Sequence, residues 1–320
     1  MNFYLDTSTR CKLMVQPISM RRLSCDILKI RREELLALVA DADAYYKPYQ
    51  QRKIRRDGTV KVRQIEPSDG YLKKVQKKID KVILKPAMAT LPDEIMGGRR
   101  GISVVRNATV HANSPALMKY DIKNFFPSIT YGHIYHIFRY RLNFCEEAAN
   151  VLTKLTTYPS SKAHVPQGAP TSTSLAMFAI EQMTLKLKTL VDAQDLRLSI
   201  WVDDITISGT VDSLGRNRTS IGRILNAAPY SIHPDKDTGI IKKGGRVKNE
   251  RGRRVTGVVI DNTNRLTLGR RKLKGLKRRV ARIKKESPSL RGSLAFLRHV
   301  SPSQGKRLYH EYKKRVGGQP

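Results

Sequence analysis

The chain has 320 residues, 40% of them hydrophobic, which is enough for two or three packed lobes and excludes a disordered tail. A net charge of +34 and a pI near 10.4 call for a polyanionic partner, with nucleic acid the default. There is no apolar run of about 18 residues, no lipidation motif and no secretory leader pattern, so the expectation is a cytoplasmic protein without a membrane partner. Cys11, Cys25 and Cys145 are widely spaced and form no Cys-x-x-Cys, which argues against a disulfide framework or a zinc site.

Residues 1–48 read as a helical segment, with Asp26 a candidate cap and Ile27, Leu28, Ile30, Leu35, Leu36 and Val39 at helical spacing. Residues 49–67 read as a hairpin turned at Asp57-Gly58, in which Val60 and Val62 alternate with Lys61 and Arg63, so one strand face is cationic. A second helix is predicted over 70–86, with Leu72, Val75, Ile79, Val82 and Ile83 on one stripe. After a Gly- and Arg-rich stretch at 97–115, "ALMKYDIKNFFPSI" reads as an apolar strand ending at Pro127. A helix through Ile134, Ile137 and Phe138 follows; His133 and His136 lie three apart on it but have no evident third ligand, so they read as surface or packed histidines. Residues 164–191 form a Pro/Gly loop feeding a long amphipathic helix.

The stretch "SIWVDDITIS" (199–208) follows. Its apolar positions are even before the acids (Leu198, Ile200, Val202) and odd after them (Ile205, Ile207). A single strand keeps its parity, so two short strands joined by a tight turn are predicted, with Asp203 and Asp204 at the apex. An ordinary hairpin that uses Asp as a turn residue fits equally well. Beyond residue 240 the composition becomes strongly basic, and a domain boundary is expected near 240–262.

Asp121, also expected at a strand end, joins Asp203 and Asp204 as a third carboxylate. Hard oxygen donors of this kind suit Mg²⁺. Two such ions, about 4 Å apart, can activate an attacking hydroxyl and stabilise a leaving pyrophosphate, which is nucleotidyl-transfer chemistry.

Asp121 in "DIKNFFPSI", "PQGAPTS" at 166–172, "WVDD" at 201–204 and "RVTGVVI" at 254–260 occur in the order of the palm motifs of reverse transcriptases. With "NATVH" (Asn107 to His111) and "VTG" (Val255, Thr256, Gly257), the chain more narrowly resembles bacterial retron reverse transcriptases, from about residue 50 to the end.

That resemblance implies an α+β right-hand polymerase, following the helical segment read over 1–48: fingers over 49–115, palm with part of the fingers over 116–240, and the end of the palm with a basic helical thumb over 241–320. It implies metal ligation and catalysis by Asp121, Asp203 and Asp204 with two Mg²⁺ ions, for which Mn²⁺ could substitute. Nucleotide contacts fall to Lys61, Arg63, the Ile122 amide, Phe126 as steric gate, Gln167, Gly168 and Lys236. Nucleic-acid contacts fall to Asn107, His111, Trp201, Val255, Thr256, Gly257 and the thumb cations Arg270, Arg271, Lys274, Lys277 and Arg278. Trp201 stands where the family most often has Tyr.

The implied activity is RNA-directed DNA synthesis from deoxynucleoside triphosphates on a cognate structured non-coding RNA. Priming from a guanosine 2′-hydroxyl would yield branched multicopy single-stranded DNA, in phage defence with a separate effector protein. The implied layout leaves no room for an appended nuclease domain. The alternatives are another bacterial reverse transcriptase, of phage-defence or mobile-intron type, and a catalytically idle RNA-binding scaffold for an effector.

Overall fold

The computed structural model describes residues 16–54, 58–234, 237–247 and 250–317. Cys11, Asp57 and Lys236 lie outside the described residues.

In chain order the elements begin with α1 (Arg32–Ala40), β1 (Tyr49–Ile54), β2 (Val60–Ile65), α2 (Gly70–Ile79) and α3 (Lys85–Ala87). Then come α4 (Val104–Thr109), β3 (Ala116–Asp121), α5 (Phe125–Ser128), α6 (Tyr131–His136), α7 (Glu146–Thr156), α8 (Ser172–Ala179) and α9 (Glu181–Ala193). They continue with β4 (Arg197–Trp201), β5 (Asp204–Gly209), α10 (Val211–Asn226), β6 (Ile241–Lys242), β7 (Arg246–Val247), β8 (Glu250–Arg251), β9 (Arg253–Val255), β10 (Val258–Ile260) and β11 (Leu266–Thr267). Three basic helices close the chain: α11 (Arg270–Arg282), α12 (Pro288–Val300) and α13 (Pro302–Val316).

These elements form two compact units. The first runs to Ala87 and adds Ile129–Leu175. Its core buries Leu35, Leu72, Ile79, Phe138, Phe144 and Leu152. A buried polar chain crosses that core: Ser68 donates to Gln76 Oε1 at 2.5 Å, and Gln76 Nε2 donates to Tyr46 Oη at 3.1 Å and to the Leu155 carbonyl at 2.8 Å. A buried amide must find partners at both ends, and Gln76 does.

Three expectations shift here. Asp26 caps no helix, because it lies inside a π-helical turn (Arg22–Leu28) that ends at Lys29 in left-handed backbone. A second π turn (Asp80–Leu84) follows α2 directly. The wider turn alters the phase of the stripe, so Ile83 and Leu84 point inward and Val82 is left 39% exposed. The long helix expected after the Pro/Gly loop within 164–191 is two helices, α8 and α9, with Ile180 between them.

The second unit, Met88–Ser128 and Ala176 to the end, is built on an antiparallel sheet of order β4-β5-β3-β6. Met118, Tyr120, Leu198, Ile200, Ile205 and Ile207 are all buried, and α9 and α10 pack against the sheet. The predicted strand through Pro127 is corrected: β3 ends at Asp121, and Pro127 belongs to the short helix α5. A smaller sheet, β11-β10-β9, shares a core with α11, α12 and α13 through Val258, Leu276, Val280, Leu294, Leu297 and Tyr312. Among the described residues no helix is long and apolar enough to cross a membrane.

Candidate active site

The acid pair sits where two strands reverse. Trp201 pairs with Asp204, so Val202 and Asp203 form the two-residue turn and Asp204 is the first residue of β5. The predicted hairpin is present, but its apex lies one residue earlier than expected. Across the next ladder Asp204 faces Asp121 directly. Directly opposed residues share one face of a sheet, so the two carboxylates are neighbours even though 82 positions separate them in sequence (204 minus 121, less one). The turn is also tied to β3 by its main chain, for the Ile122 amide donates to the Asp203 carbonyl at 3.1 Å.

Val202 has φ of +59°, a conformation that costs a β-branched residue about 1–3 kcal/mol. Neighbouring backbone holds it there. The Met96 and Gly97 amides donate to the Ile200 carbonyl at 2.9 and 3.2 Å, and the Ile200 amide donates to the Glu94 carbonyl at 2.7 Å. A Cβ at position 97 would lie 2.5 Å from the Val202 nitrogen, so only glycine permits this approach. Gly97 is a positioning residue that the sequence offered only as part of a Gly/Arg-rich stretch.

The same geometry corrects the role expected of Ile122. Its amide is engaged by Asp203 and its side chain is buried, so it does not offer that amide to a triphosphate. The adjoining chain is pinned as well: the Lys123 amide donates to Ser231 at 2.8 Å and the His233 amide donates to Asp121 at 2.7 Å, both to carbonyls. Phe125 is the core ring, packed edge-on to Tyr230, while Phe126 beside it is half-buried. Burial pushes the Tyr120 hydroxyl up to about 12.

Lys61, Arg63, Gln167 and Gly168 belong to the first unit. Lys61 faces Lys53 across the β1–β2 ladder, and Arg63 lies on the same strand face, so cations gather on one side of the ribbon. Ile54, Val60 and Val62 occupy the other side and are exposed. Gln167 accepts from the Glu66 amide at 2.8 Å through its carbonyl, which docks the Pro/Gly loop on the end of β2. Gly168 adopts φ of +121°, where a Cβ would come within 3.2 Å of Ile65. His164 Nε2 meets Glu66 at 3.1 Å, and that hydrogen bond raises the imidazole pKa.

The two signature elements meet. Thr256 and Gly257 form the two-residue turn between β9 and β10, with φ of +44° and +85°. Asn107 Nδ2 donates to Thr256 Oγ1 at 3.3 Å, and Thr256 donates to the Val104 carbonyl at 3.3 Å. Asn107, His111 and Val255 are at most 1% exposed, so direct RNA contact by these three is corrected to a supporting role. His111 lies beneath the acid hairpin: Nε2 meets Ser199 Oγ of β4 and Nδ1 meets Ser208 Oγ of β5, both at 2.7 Å. Burial holds its pKa down at about 3, so the ring is neutral at pH 7.

Ser208 passes the chain of bonds to Ser114 at 2.9 Å. Arg253, fully buried, donates to the carbonyls of Ser114 and Asp261 and to Asn264 Oδ1. The clue to the His111 partners is a serine set among apolar neighbours in each strand, Ser199 between Leu198 and Ile200 in β4 and Ser208 after Ile207 in β5. Trp201 is half-buried, and Arg270, Arg271, Lys274, Lys277 and Arg278 are all exposed on α11, whose inner stripe is Leu276 and Val280.

Among the described residues no three acidic, His or Cys side chains are gathered tightly enough to hold an ion alone. Mg²⁺ is usually bound by one or two carboxylates together with waters and substrate phosphates, and the directly opposed Asp121 and Asp204 supply that number. Asp121 and Asp204, with Asp203, are the residues that would hold it. A divalent ion held there would supply charge stabilisation for an attacking hydroxyl and a leaving pyrophosphate.

Residues 54–260 match the family described as reverse transcriptase (RNA-dependent DNA polymerase). The chain belongs to that family. Its similarity extends to the retron Ec86 reverse transcriptase of Escherichia coli, 27% identical over 91% of this chain and 89% of that protein. The retron Se72 enzyme of Salmonella heidelberg (29% identical, 66% of this chain) and the retron Mx65 enzyme of Myxococcus xanthus (27%, 67%) match over 55% and 53% of their own lengths. The chain is thus an RNA-directed DNA polymerase of the bacterial retron type, with an α+β polymerase fold and an RNA template as partner.

Proposed function

We propose that the chain reverse transcribes its own structured non-coding RNA, priming from a guanosine 2′-hydroxyl and leaving multicopy single-stranded DNA joined to RNA. The observation that carries this reading is the Asn107–Thr256 hydrogen bond, which joins the two elements resembling retron signatures into one structure. In this reading residues 49–115 are fingers, 116–240 palm and 241–320 the end of the palm and thumb, behind a helical segment over 1–48. Two Mg²⁺ ions work at Asp121, Asp203 and Asp204, and Mn²⁺ can replace them.

Deoxynucleoside triphosphates meet Lys61, Arg63, Gln167, Gly168 and Lys236. The ring of Phe126 excludes a ribose 2′-hydroxyl. Trp201, Thr256, Gly257 and the exposed cations of α11 face nucleic acid, and α11 grips it through phosphates, a mode that weakens steeply with salt. A separate effector protein in phage defence completes the proposal.

The test is expression with flanking genomic DNA, extraction of nucleic acid, RNase treatment and a search for one discrete short DNA. The expected result is a discrete DNA that vanishes in Asp203→Asn/Asp204→Asn. Extension of an annealed primer on RNA without any such DNA would overturn the self-primed reading and leave an ordinary reverse transcriptase.

A further inference from the structure

The Pro/Gly loop ahead of α8 is joined to the end of β2 by a main-chain bond and by a side-chain pair. The Glu66 amide donates to the Gln167 carbonyl at 2.8 Å. His164 Nε2 donates to Glu66 Oε2 at 3.1 Å, with the two side chains 13% and 7% exposed. Other anchors of the loop run elsewhere. The Val165 amide donates to the Ile129 carbonyl at 2.9 Å, and Ser172 Oγ donates to the Pro166 carbonyl at 2.5 Å. Losing the side-chain pair would therefore shift the loop against β2 without unfolding it.

The surroundings select the charge of the His164 ring. Its Nδ1 faces the Lys162 carbonyl at 2.8 Å while Nε2 faces the carboxylate. A carbonyl and a carboxylate can only accept, so each ring nitrogen must carry a proton, and the imidazolium is the form that has two. Ser160 Oγ, 3.4 Å from Nδ1, is able to accept as well. The hydrogen bond to Glu66 raises the imidazole pKa against the opposing effect of burial. The other titratable groups packed here are Tyr158, with its ring 5.7 Å from the imidazole, and Tyr46, edge-on to Tyr158. His133 of α6 bonds the main chain of Thr130, which bridges to His164. Burial pushes the Tyr46 hydroxyl up and the His133 imidazole down, so of the two imidazoles it is His164 that titrates above pH 6.5.

We propose that His164 and Glu66 are positioning residues whose ion pair latches the Pro/Gly loop to the strand bearing Lys61 and Arg63, so that deoxynucleotide affinity falls when the imidazole loses its proton. The proposal rests on the nucleotide-binding reading of Lys61, Arg63, Gln167 and Gly168 above and adds a proton-linked control to it. All six residues belong to the first unit. Because the folded imidazole holds its proton more tightly than an exposed one, the latch is complete below about pH 6.5 and opens as pH rises through the folded value.

The experiment follows extension of oligo(dT) on poly(rA) by the full chain between pH 6 and 9, with dTTP varied, for the wild type, Glu66→Gln and His164→Gln. Hydrogen exchange of the peptide 160–170, corrected for the intrinsic effect of pH, reports loop docking without nucleotide. The wild-type KM for dTTP should rise by about tenfold through an inflection above pH 6.5, and loop protection should fall over the same range. Glu66→Gln should move that inflection to lower pH. His164→Gln should abolish it and keep the KM high throughout, while the pH dependence of kcat stays common to all three proteins. A merely structural pair would lower activity without moving an inflection.

A wild-type KM and loop protection that both ignore pH overturn the latch, as does an inflection that persists in His164→Gln. The wild-type titration needs no substitution, so a variant that fails to fold leaves the test intact. Loop protection that titrates with His164 while the KM stays flat would instead count against the nucleotide role of the loop and leave the latch standing.

Discussion

Two tight turns in the second unit hold a β-branched residue in left-handed backbone, and they do so by different means. Val202 is held by main chain: the 94–97 segment pairs with Ile200, Gly97 lies against the turn, and Ile122 ties Asp203 to β3. Thr256 is held by its own side chain, which links Asn107 to the Val104 carbonyl, and a glycine takes the second left-handed position. A turn fixed through backbone can be rigid whatever its side chains do, which suits one that carries Asp203 and leads directly into Asp204. A turn fixed through a side chain is a joint between elements, and this one joins α4 to the small sheet.

Substitutions can break the comparison. The largest effect is expected from Asp203→Asn, which should reduce RNA-directed primer extension to background while leaving the melting midpoint little changed. Replacing Thr256 with Val should leave extension measurable, because that turn carries no carboxylate.

Gly97→Ala should come next, forcing the chain off Val202 at a cost of about 1–3 kcal/mol and lowering extension with it. Urea denaturation and primer extension on the same preparation check both. An unchanged kcat would show that the 94–97 segment does not position the acids.

The two turns should respond differently to glycine. Val202→Gly relieves left-handed strain and should raise stability slightly, by less than about 1 kcal/mol once the added freedom of the unfolded chain is included. Thr256→Gly relieves similar strain but strips the buried Asn107 of its partner at a cost of about 1–3 kcal/mol, so it should be the less stable of the two relative to the wild type. Thermal melts of the pair decide it.

The smallest effect is a pH dependence. His111 has a folded pKa of about 3 against an ordinary value near 6.5, so protonation is disfavoured in the fold. Its contribution is complete above about pH 6.5 and falls away as pH drops toward 3. His111→Gln, which does not titrate, should therefore lose less stability than the wild type between pH 7 and 5 in urea. An equal loss would mean that other groups dominate the acid response.

Much of this was legible in the residues. The parity break around Asp203 places a hairpin, because alternation is a local property of extended chain. It could not say which two residues turn, and the apex lies at Val202–Asp203. The hydrophobic stripe of α2 was readable until the π turn at Asp80, where a changed hydrogen-bond spacing moved Val82 outward. "NATVH" and "VTG" are recognisable elements, yet their polar residues suggested contact with RNA. Asn107 and His111 instead satisfy partners inside the protein, and burial of that kind depends on which distant segments come to cover them.

The sequence by itself determined the class of chemistry: three aspartates in ordered motifs, a cationic ribbon and a strongly basic C-terminus, all written in local pattern and charge. Only the tertiary structure decided that Asp121 stands opposite Asp204, that Gly97 supports a strained valine, and that His111 joins the two strands of the hairpin whose turn holds Asp203. Each of these depends on strand register and close packing between segments far apart in the chain, and neither is encoded in the spacing of neighbouring residues.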